Sequence, residues 1–204
     1  MLTRSPNVVA VNTASPHQSL ADLLNDARIN PGKLTLAFQG PATSQHIGAE
    51  KLKRAANVDM INVPFLGAAP AVNALLGNHV TALFINYPSV SEQVKAGKAR
   101  VLATASRARL ESLPGVPTIA EINQKDFEED VWFGAVVPTR TSKETVSQLT
   151  GWFRTAVLDP EMKPKLEVQG FDPAGACGAD FAAHLRKQSE EYGRIAREAN
   201  IKGE

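Results

Sequence analysis

The stretch that decides the fold is residues 33–89, KLTLAFQGPATSQHIGAEKLKRAANVDMINVPFLGAAPAVNALLGNHVTALFINYPS. Runs of β-branched and apolar residues at 33–38, 60–65 and 81–86 are each followed by a small-residue turn and an amphipathic segment. They recur at roughly 20 to 25 residues, the rhythm of β/α units on a parallel sheet, so the class is α/β. Gln39-Gly40-Pro41-Ala42 leads to Thr43 or Ser44 as N-cap of a helix reaching about Asn57. Gly67 opens a shorter helix through Leu76, which Gly77-Asn78 closes by an αL-type cap. Pro88-Ser89 starts a third helix, to Ala96, ended by Gly97.

Working outward, residues 7–12 read as a first strand, and Ser19 caps a helix whose Leu20, Leu23, Leu24 and Ala27 form one stripe. Asn30-Pro31-Gly32 stops it, and residues 101–105 make a fifth strand. From 107 to 130 the pattern loosens around Pro114-Gly115-Val116-Pro117, and Asp126, Glu128, Glu129 and Asp130 suggest a solvated loop at a seam. Residues 131–137 then read as a strand ended by Pro138. Two long helices follow: 142–158, with Val146, Leu149, Phe153 and Val157 aligned, and 179–200, with Phe181, Leu185, Tyr192, Ile195 and Ala199 aligned. Asp159-Pro160 separates the first of these from a short helix ending at Gly170. Only residues 7–12 and 131–137 offer local strands to cover those stripes, so a piece of sheet is missing from the pattern.

The chain has 204 residues, 43% of them hydrophobic, enough for a substantial core. Lys plus Arg number 22 against 21 Asp plus Glu, a net +1 with no run of five or six like charges, which argues against nucleic-acid binding by bulk charge. Cys177 is the single cysteine, so no internal disulfide forms. No stretch nears the ~20 apolar residues of a membrane span, and residues 1–7, with Arg4 and Pro6, hold no export-signal core.

Phosphate-loop, dinucleotide, nucleophile-elbow and zinc-protease motifs are absent from the sequence. His17, His79 and His184 read as exposed or half-exposed residues, and Cys177 as a small apolar filler. His46, in a turn at the end of a strand, reads first as a ligand-edge hydrogen-bond donor or a solvated residue, and as a general base only if an Asp or Glu elsewhere pairs with it. What recurs is a strand, a small-residue turn and a helix start. Gly40, Pro41, Ala42, Thr43 and Ser44 follow the second strand; Gly67, Ala68 and Ala69 the third; Asn86 ends the fourth. In a doubly wound sheet such turns gather on one edge, where helix N-termini present unpaired N–H groups to an anion. A carboxylate fits best. Each helix end contributes only about 0.3–1 kcal/mol when exposed, so micromolar binding, about 8 kcal/mol, calls for a second surface closing over it.

Further strings give the chain a resemblance. They are Asn30-Pro31-Gly32-Lys33-Leu34, Ser44-Gln45-His46, Val63-Pro64-Phe65, Ala69-Pro70-Ala71, the stretch 95–100 (KAGKAR), Leu113-Pro114-Gly115-Val116-Pro117-Thr118, Trp132-Phe133-Gly134 and Leu158-Asp159-Pro160-Glu161. Their order over nearly the whole chain resembles the Bug-type periplasmic solute-binding receptors of tripartite tricarboxylate transporters. The resemblance implies a two-lobed Venus flytrap that captures a small carboxylate for a membrane permease, in the periplasm, and is not an enzyme. It places Gly40 to Gln45, the Phe65 to Ala69 turn and Asn86 at the ligand. It also implies a complete ligand-binding lobe over 13–130, with 1–12 and 131–204 supplying crossing strands and helices of a truncated first lobe. The family's usual acid before the fourth-strand Asn is Ile85 here, and Phe65-Leu66-Gly67 replaces Tyr-Lys-Gly, which disfavours amino-bearing or highly charged solutes. Self-association would cover the apolar stripes of the truncated chain. The rival readings are the effector domain of a LysR-like regulator, and an α/β enzyme using His46 or Cys177.

Overall fold

The computed structural model describes residues 1–122 and 127–201. Its organising element is strand β1 (Thr3–Asn12), which starts four residues earlier than its sequence pattern. The first residues of β1 pair with β6 (Asp130–Phe133) on one side and β7 (Asp172–Pro173) on the other. Its later residues lie between β4 (Ala82–Asn86) and β5 (Ala99–Thr104). Strands β2 (Thr35–Gln39) and β3 (Ile61–Phe65) complete a path in the order β3-β2-β4-β1-β5. Strand β2 is parallel to both β3 and β4, but β1 is antiparallel to both its neighbours, so the sheet is mixed and not parallel as the β/α rhythm suggested.

Both faces of this sheet are covered, and strand side chains alternate between them. Val9, Val11, Leu36, Phe38, Ala82 and Phe84 pack under helices α1 (Leu20–Ile29) and α2 (Ser44–Ala56). Val8, Ala10, Ala37, Leu83 and Ile85 pack on the other face under α3 (Ala68–Leu76). This period-2 split between two apolar layers is what a doubly wound fold requires of a buried strand. Ser19 and Asp22 form a reciprocal capping box on α1. The third loop departs from expectation: Tyr87–Ser89 is a 3-10 turn, and α4 is only Ser91–Lys95.

The acidic stretch is solvated only in part, at exposed Glu128. Glu129 is 3% exposed, and Asp130 opens β6 with its carboxyl largely buried; Asp126 lies outside the described residues. Strand β6 also ends at Phe133 and not at Val137, because β1, its partner, runs out at Thr3 and Leu2, whose N–H meets the Phe133 carbonyl. His17 is buried and not exposed, with Nε2 2.7 Å from Asp26 Oδ2 and Nδ1 3.1 Å from Ser15 Oγ. Beyond β6 come α5 (Lys143–Leu158), α6 (Met162–Val168) and α7 (Gly178–Glu198). Neither α5 nor α6 has a buried residue, and Val136 and Trp152 are 79% and 61% exposed.

Gly48, inside α2, lets that helix lie directly on Phe84. A Cβ there would stand 2.4 Å from Phe84 Cε1 and 2.8 Å from Glu129 Cγ. Alanine in a helix interior is worth about 1 kcal/mol over glycine. Overpacking against a fully buried ring costs about 1–3 kcal/mol and is expected to win. Gly48→Ala should therefore lower the urea midpoint of unfolding.

Candidate functional site at the ends of three parallel strands

The strand order puts the carboxyl ends of β3, β2 and β4 side by side, and the three turns expected to meet a ligand leave from those ends. Gly40 turns out of β2 at φ 69°, its N–H bonded to the Phe65 carbonyl at the end of β3 (2.7 Å), so the first two turns are tied to each other. Pro41 and Ala42 are exposed, and Ala42 is held at φ 54°, a left-handed position that costs an alanine about 1–2 kcal/mol. His46 holds it there: its Nδ1 accepts the Ala42 N–H at 3.2 Å while its ring stacks 4.4 Å from Phe38. Burial keeps the His46 ring below the ordinary histidine value against the pull of Glu50, and Lys53 adds to the effect. A neutral ring at pH 7 is what leaves Nδ1 free to accept. This is a structural task, different from the general-base role considered for His46.

Thr43 is the N-cap of α2. Its Oγ1 accepts the His46 N–H (3.3 Å) and donates to the Gln39 carbonyl (2.6 Å), tying the helix start to the strand end. The Ile47 N–H is taken by the Thr43 carbonyl, so helical geometry leaves the N–H groups of Ser44 and Gln45 without intrahelical partners. Gln45 itself is 1% exposed; its Oε1 accepts from Ser44 Oγ (3.1 Å), and its Nε2 has no partner among the described residues.

At the second turn, half-buried Phe65 leads into Gly67, at φ 109° and ψ 172°, a conformation that only glycine adopts without strain. Among the described residues, no atom beyond its chain neighbours lies within 4 Å of where a Cβ would stand, so this turn is also open. The exposed start of α3 leaves the N–H groups of Ala68 and Ala69 unpaired, and Pro70 has none to offer. The third turn is different. Asn86 is buried, its Oδ1 accepts from Ser89 Oγ (2.9 Å), and the helix that follows is too short to carry a developed dipole. Two helix ends, not three, therefore face the rim, and no residue from Gly40 to Gln45, from Phe65 to Ala69, or at Asn86 is charged.

Sequence reasoning missed two buried polar residues beside the rim. Asn7, directly opposite Asn86 across β1 and β4, is 0% exposed; its Nδ2 donates to the Glu129 carbonyl (3.0 Å), and its Oδ1 is unpartnered among the described residues. The available signal was a lone amide leading into an apolar run. Glu129 was hidden by its acidic neighbours. Cys177 precedes α7 half-buried, with Sγ 3.5 Å from the Gly175 carbonyl.

A family model described as tripartite tricarboxylate transporter family receptor matches residues 1–201. The chain belongs to that family. Among its relatives, a Pseudomonas sp. protein described as the UPF0065 protein in the tcbD-tcbE intergenic region is 31% identical over 191 residues, 93% of this chain and 57% of that protein. Protein BugT of Bordetella pertussis is 28% identical over 199 residues, 97% of this chain and 60% of BugT. The chain thus spans less than two thirds of either. Among solved structures, R. palustris Rpa4515 with adipate superposes with a TM-score of 0.89 at 28% identity, covering 98% of this chain and 67% of that one. The fold is accordingly that of the periplasmic binding proteins of this receptor family, with one lobe partial. Membership in a family of receptors favours the receptor reading over the LysR-like and enzymatic alternatives.

In this receptor fold Thr43 holds both the α2 cap and the Gly40 turn. Thr43→Ala is expected to cost about 1 kcal/mol, seen as a lower thermal midpoint, while Thr43→Ser should retain most of the stability.

Proposed function

We propose that this chain is the solute-capturing part of a periplasmic receptor that binds a small organic carboxylate for a tripartite tricarboxylate-type permease. The observation that carries the reading is the uncharged rim at which α2 and α3 begin on adjacent strand ends. Ser44 and Gln45 N–H groups on one side, and Ala68 and Ala69 N–H groups on the other, supply donors with partial positive charge. Gln45 Nε2 and the Asn86 amide would add side-chain donors. Gly40 and Gly67 let a ligand approach the main chain, and Phe65 gives the methylene part of the ligand an apolar surface. The family model and the adipate carried by Rpa4515 support a carboxylate as the captured group. With Leu66 where a lysine would stand and Ile85 where an acid would, the rim suits linear mono- and dicarboxylates over amino acids.

Residues 13–130 make the ligand-binding lobe in this reading. Residues 1–12 and 131–204 contribute crossing strands and helices of the first lobe. The permease contact and the periplasmic location come from the family and are part of the proposal.

The test is a thermal-shift panel of C4–C6 carboxylates, adipate included, with the corresponding amines as controls. A ligand at a hundredfold excess over its Kd stabilises by about 2.7 kcal/mol, which in a chain of this size moves the midpoint by roughly 5–10 °C. Ala69→Glu places an acid in the first turn of α3, where the helix tolerates it, but opposite an incoming carboxylate. It should leave the unliganded midpoint unchanged and remove the shift. A panel in which no carboxylate stabilises the protein would refute the reading.

The apolar faces make a separate prediction. Leu2, Val136, Val137, Val146, Phe153 and Leu185 line a cavity of about 300 Å³ between the start of β1, α5 and α7. Exposed apolar surface of this kind drives association. Light scattering should show a mass that rises with concentration above that of the monomer, and Val136→Asp with Phe153→Asp should reduce it.

A further inference from the structure

A cluster of ionisable groups lies beside the rim, where the chain crosses between its two sheets. The Glu129 N–H donates to the Ala105 carbonyl (2.8 Å), the Ala105 N–H to the Asn7 carbonyl (2.8 Å), and the Glu129 carbonyl accepts both the main-chain and side-chain donors of Asn7 (3.3 and 3.0 Å). The Glu129 main chain therefore locks the crossing. Its side chain reaches two helices from the same point: Oε1 accepts from the Tyr192 hydroxyl on α7, and Oε2 lies 3.5 Å from Lys51 Nζ on α2.

Helix α7 bridges the crossing. Its amino-terminal half packs on β6 through Phe181 against Trp132, whose Nε1 donates to Gln188. Its carboxyl-terminal half is tied to α2 by Lys51 with Glu191 (2.7 Å) and by Arg54 with Glu198 (2.8 Å), and Ile195 between those pairs is buried. Lys51 is shared. Besides Glu191 and Glu129 it donates to the Glu128 carbonyl (2.9 Å) and lies 5.3 Å from the Phe127 ring. Arg4, His184 and Lys187 line the same cavity of about 390 Å³, facing Glu128, Asp130 and Glu191.

We propose that the Glu129 carboxyl is a proton-operated latch: protonated, it holds the carboxyl-terminal half of α7 on the strand crossing, and ionised, it releases that half. An ionised Glu129 competes with Glu191 for one ammonium and adds a further negative charge beside Glu191, Glu128 and Asp130, with only the Tyr192 hydroxyl and the shared Lys51 to offset its lost hydration. Burial pushes the Glu129 carboxyl up to about 7, against the Tyr192 hydrogen bond and the Lys51 charge and with Glu191 adding to it, so the latch works near neutrality. Asp130 is also raised to about 7, by burial against the Arg4 charge, with Glu128 and Asp172 reinforcing it. The folded chain keeps a proton on Glu129 that the unfolded chain loses near pH 4.5. Stability from this group is therefore full at acid pH, declines as pH rises through 4.5 to 7, and levels off above that.

The latch belongs to the chain itself, and only its effect on ligand affinity rests on the proposed function. Trp152→Phe leaves Trp132, which lines the cavity, as the single tryptophan. In that background, Trp132 emission and amide exchange of residues 188–198 are followed from pH 5.5 to 8.5. One transition centred near 7 is expected, with exchange faster on its alkaline side after correction for intrinsic rates. Glu129→Gln should abolish the transition and Asp130→Asn retain it. A transition that persists in Glu129→Gln, or vanishes in Asp130→Asn alone, overturns the latch. Should Glu129→Gln not fold, Tyr192→Phe removes the hydroxyl that favours the ionised carboxylate and must move the midpoint upward; an unmoved midpoint overturns the proposal. Adipate titrated at pH 6 and pH 8 separates the two ideas: no binding at either pH with the transition intact counts against the carboxylate reading and leaves the latch standing.

Discussion

The structure depends on one strand shared by two sheets. Because β1 is antiparallel to β4, its residue Asn7 is level with Asn86, at the carboxyl end of β4, and residues 3–6 project beyond the rim. Whatever pairs with those residues stands over the three strand ends that carry the site. Strands β6 and β7 do so, and the helices that follow hang from them. A central strand must satisfy its N–H and C=O groups on both sides. At the changeover from one sheet to the other that requirement is met by Ala105 and Glu129 with the main chain of Asn7, and Glu129 also accepts the Asn7 side chain. The position of any second jaw relative to the rim is thus set by a closed ring of three main-chain hydrogen bonds, braced by a fourth from the Asn7 side chain.

The same geometry explains why the rim is built from backbone. Parallel strands β2 and β3 deliver their following helices with N-termini at the same end. Side chains need only shape the turns: Thr43 closes α2, His46 holds Ala42 in its left-handed conformation, and Gly67 keeps the α3 start open. Two exposed helix ends supply on the order of 1–2 kcal/mol between them, far less than micromolar capture requires. Affinity must come from closing the site, where loss of water strengthens the same donors. On the proposed function, a lobe that binds weakly when open would release as readily as it captures.

Much of the fold was legible in the sequence because strands buried on both faces are continuous apolar runs and their turns carry Gly, Pro, Ser and Thr at positions with a steric reason. The helix stripe under Ser19, the Thr43 cap and the adjacency of the three turns follow from those local signals. The direction and length of β1 do not, since antiparallel pairing through the middle of a β/α array is a tertiary fact and Pro6 reads locally as a break. Burial of Glu129 was invisible for a related reason: four acids within five residues read as a solvated loop, while the lysine and tyrosine that shelter this one are 78 residues before it and 63 after it in the chain. The end of β6 at Phe133 likewise depends on where its partner stops, not on the β-branched residues beyond. At the rim, the residues themselves were readable, but the shortness of α4 was not, because Pro88-Ser89 starts a 3-10 turn as easily as a helix.

Helix α2 joins these observations. Gly48 and Ala49 bring it into contact with the sheet, and Phe84 fills the space that a Cβ on Gly48 would occupy. At its amino end are Thr43, Ser44 and Gln45; two turns later come Lys51 and Arg54, the residues that hold α7. A rigid helix cannot move at one end alone. On the proposed latch, a change in the packing of α7 on Lys51 would be carried to the N–H groups at the rim as a tilt of α2 against Phe84. Close packing resists continuous deformation and favours a small number of discrete positions. Helix α2, seated on Phe84 at Gly48, is thus the one body that touches both the strand crossing and the rim, and on the two proposals ligand and Glu129 proton would act on it from opposite ends.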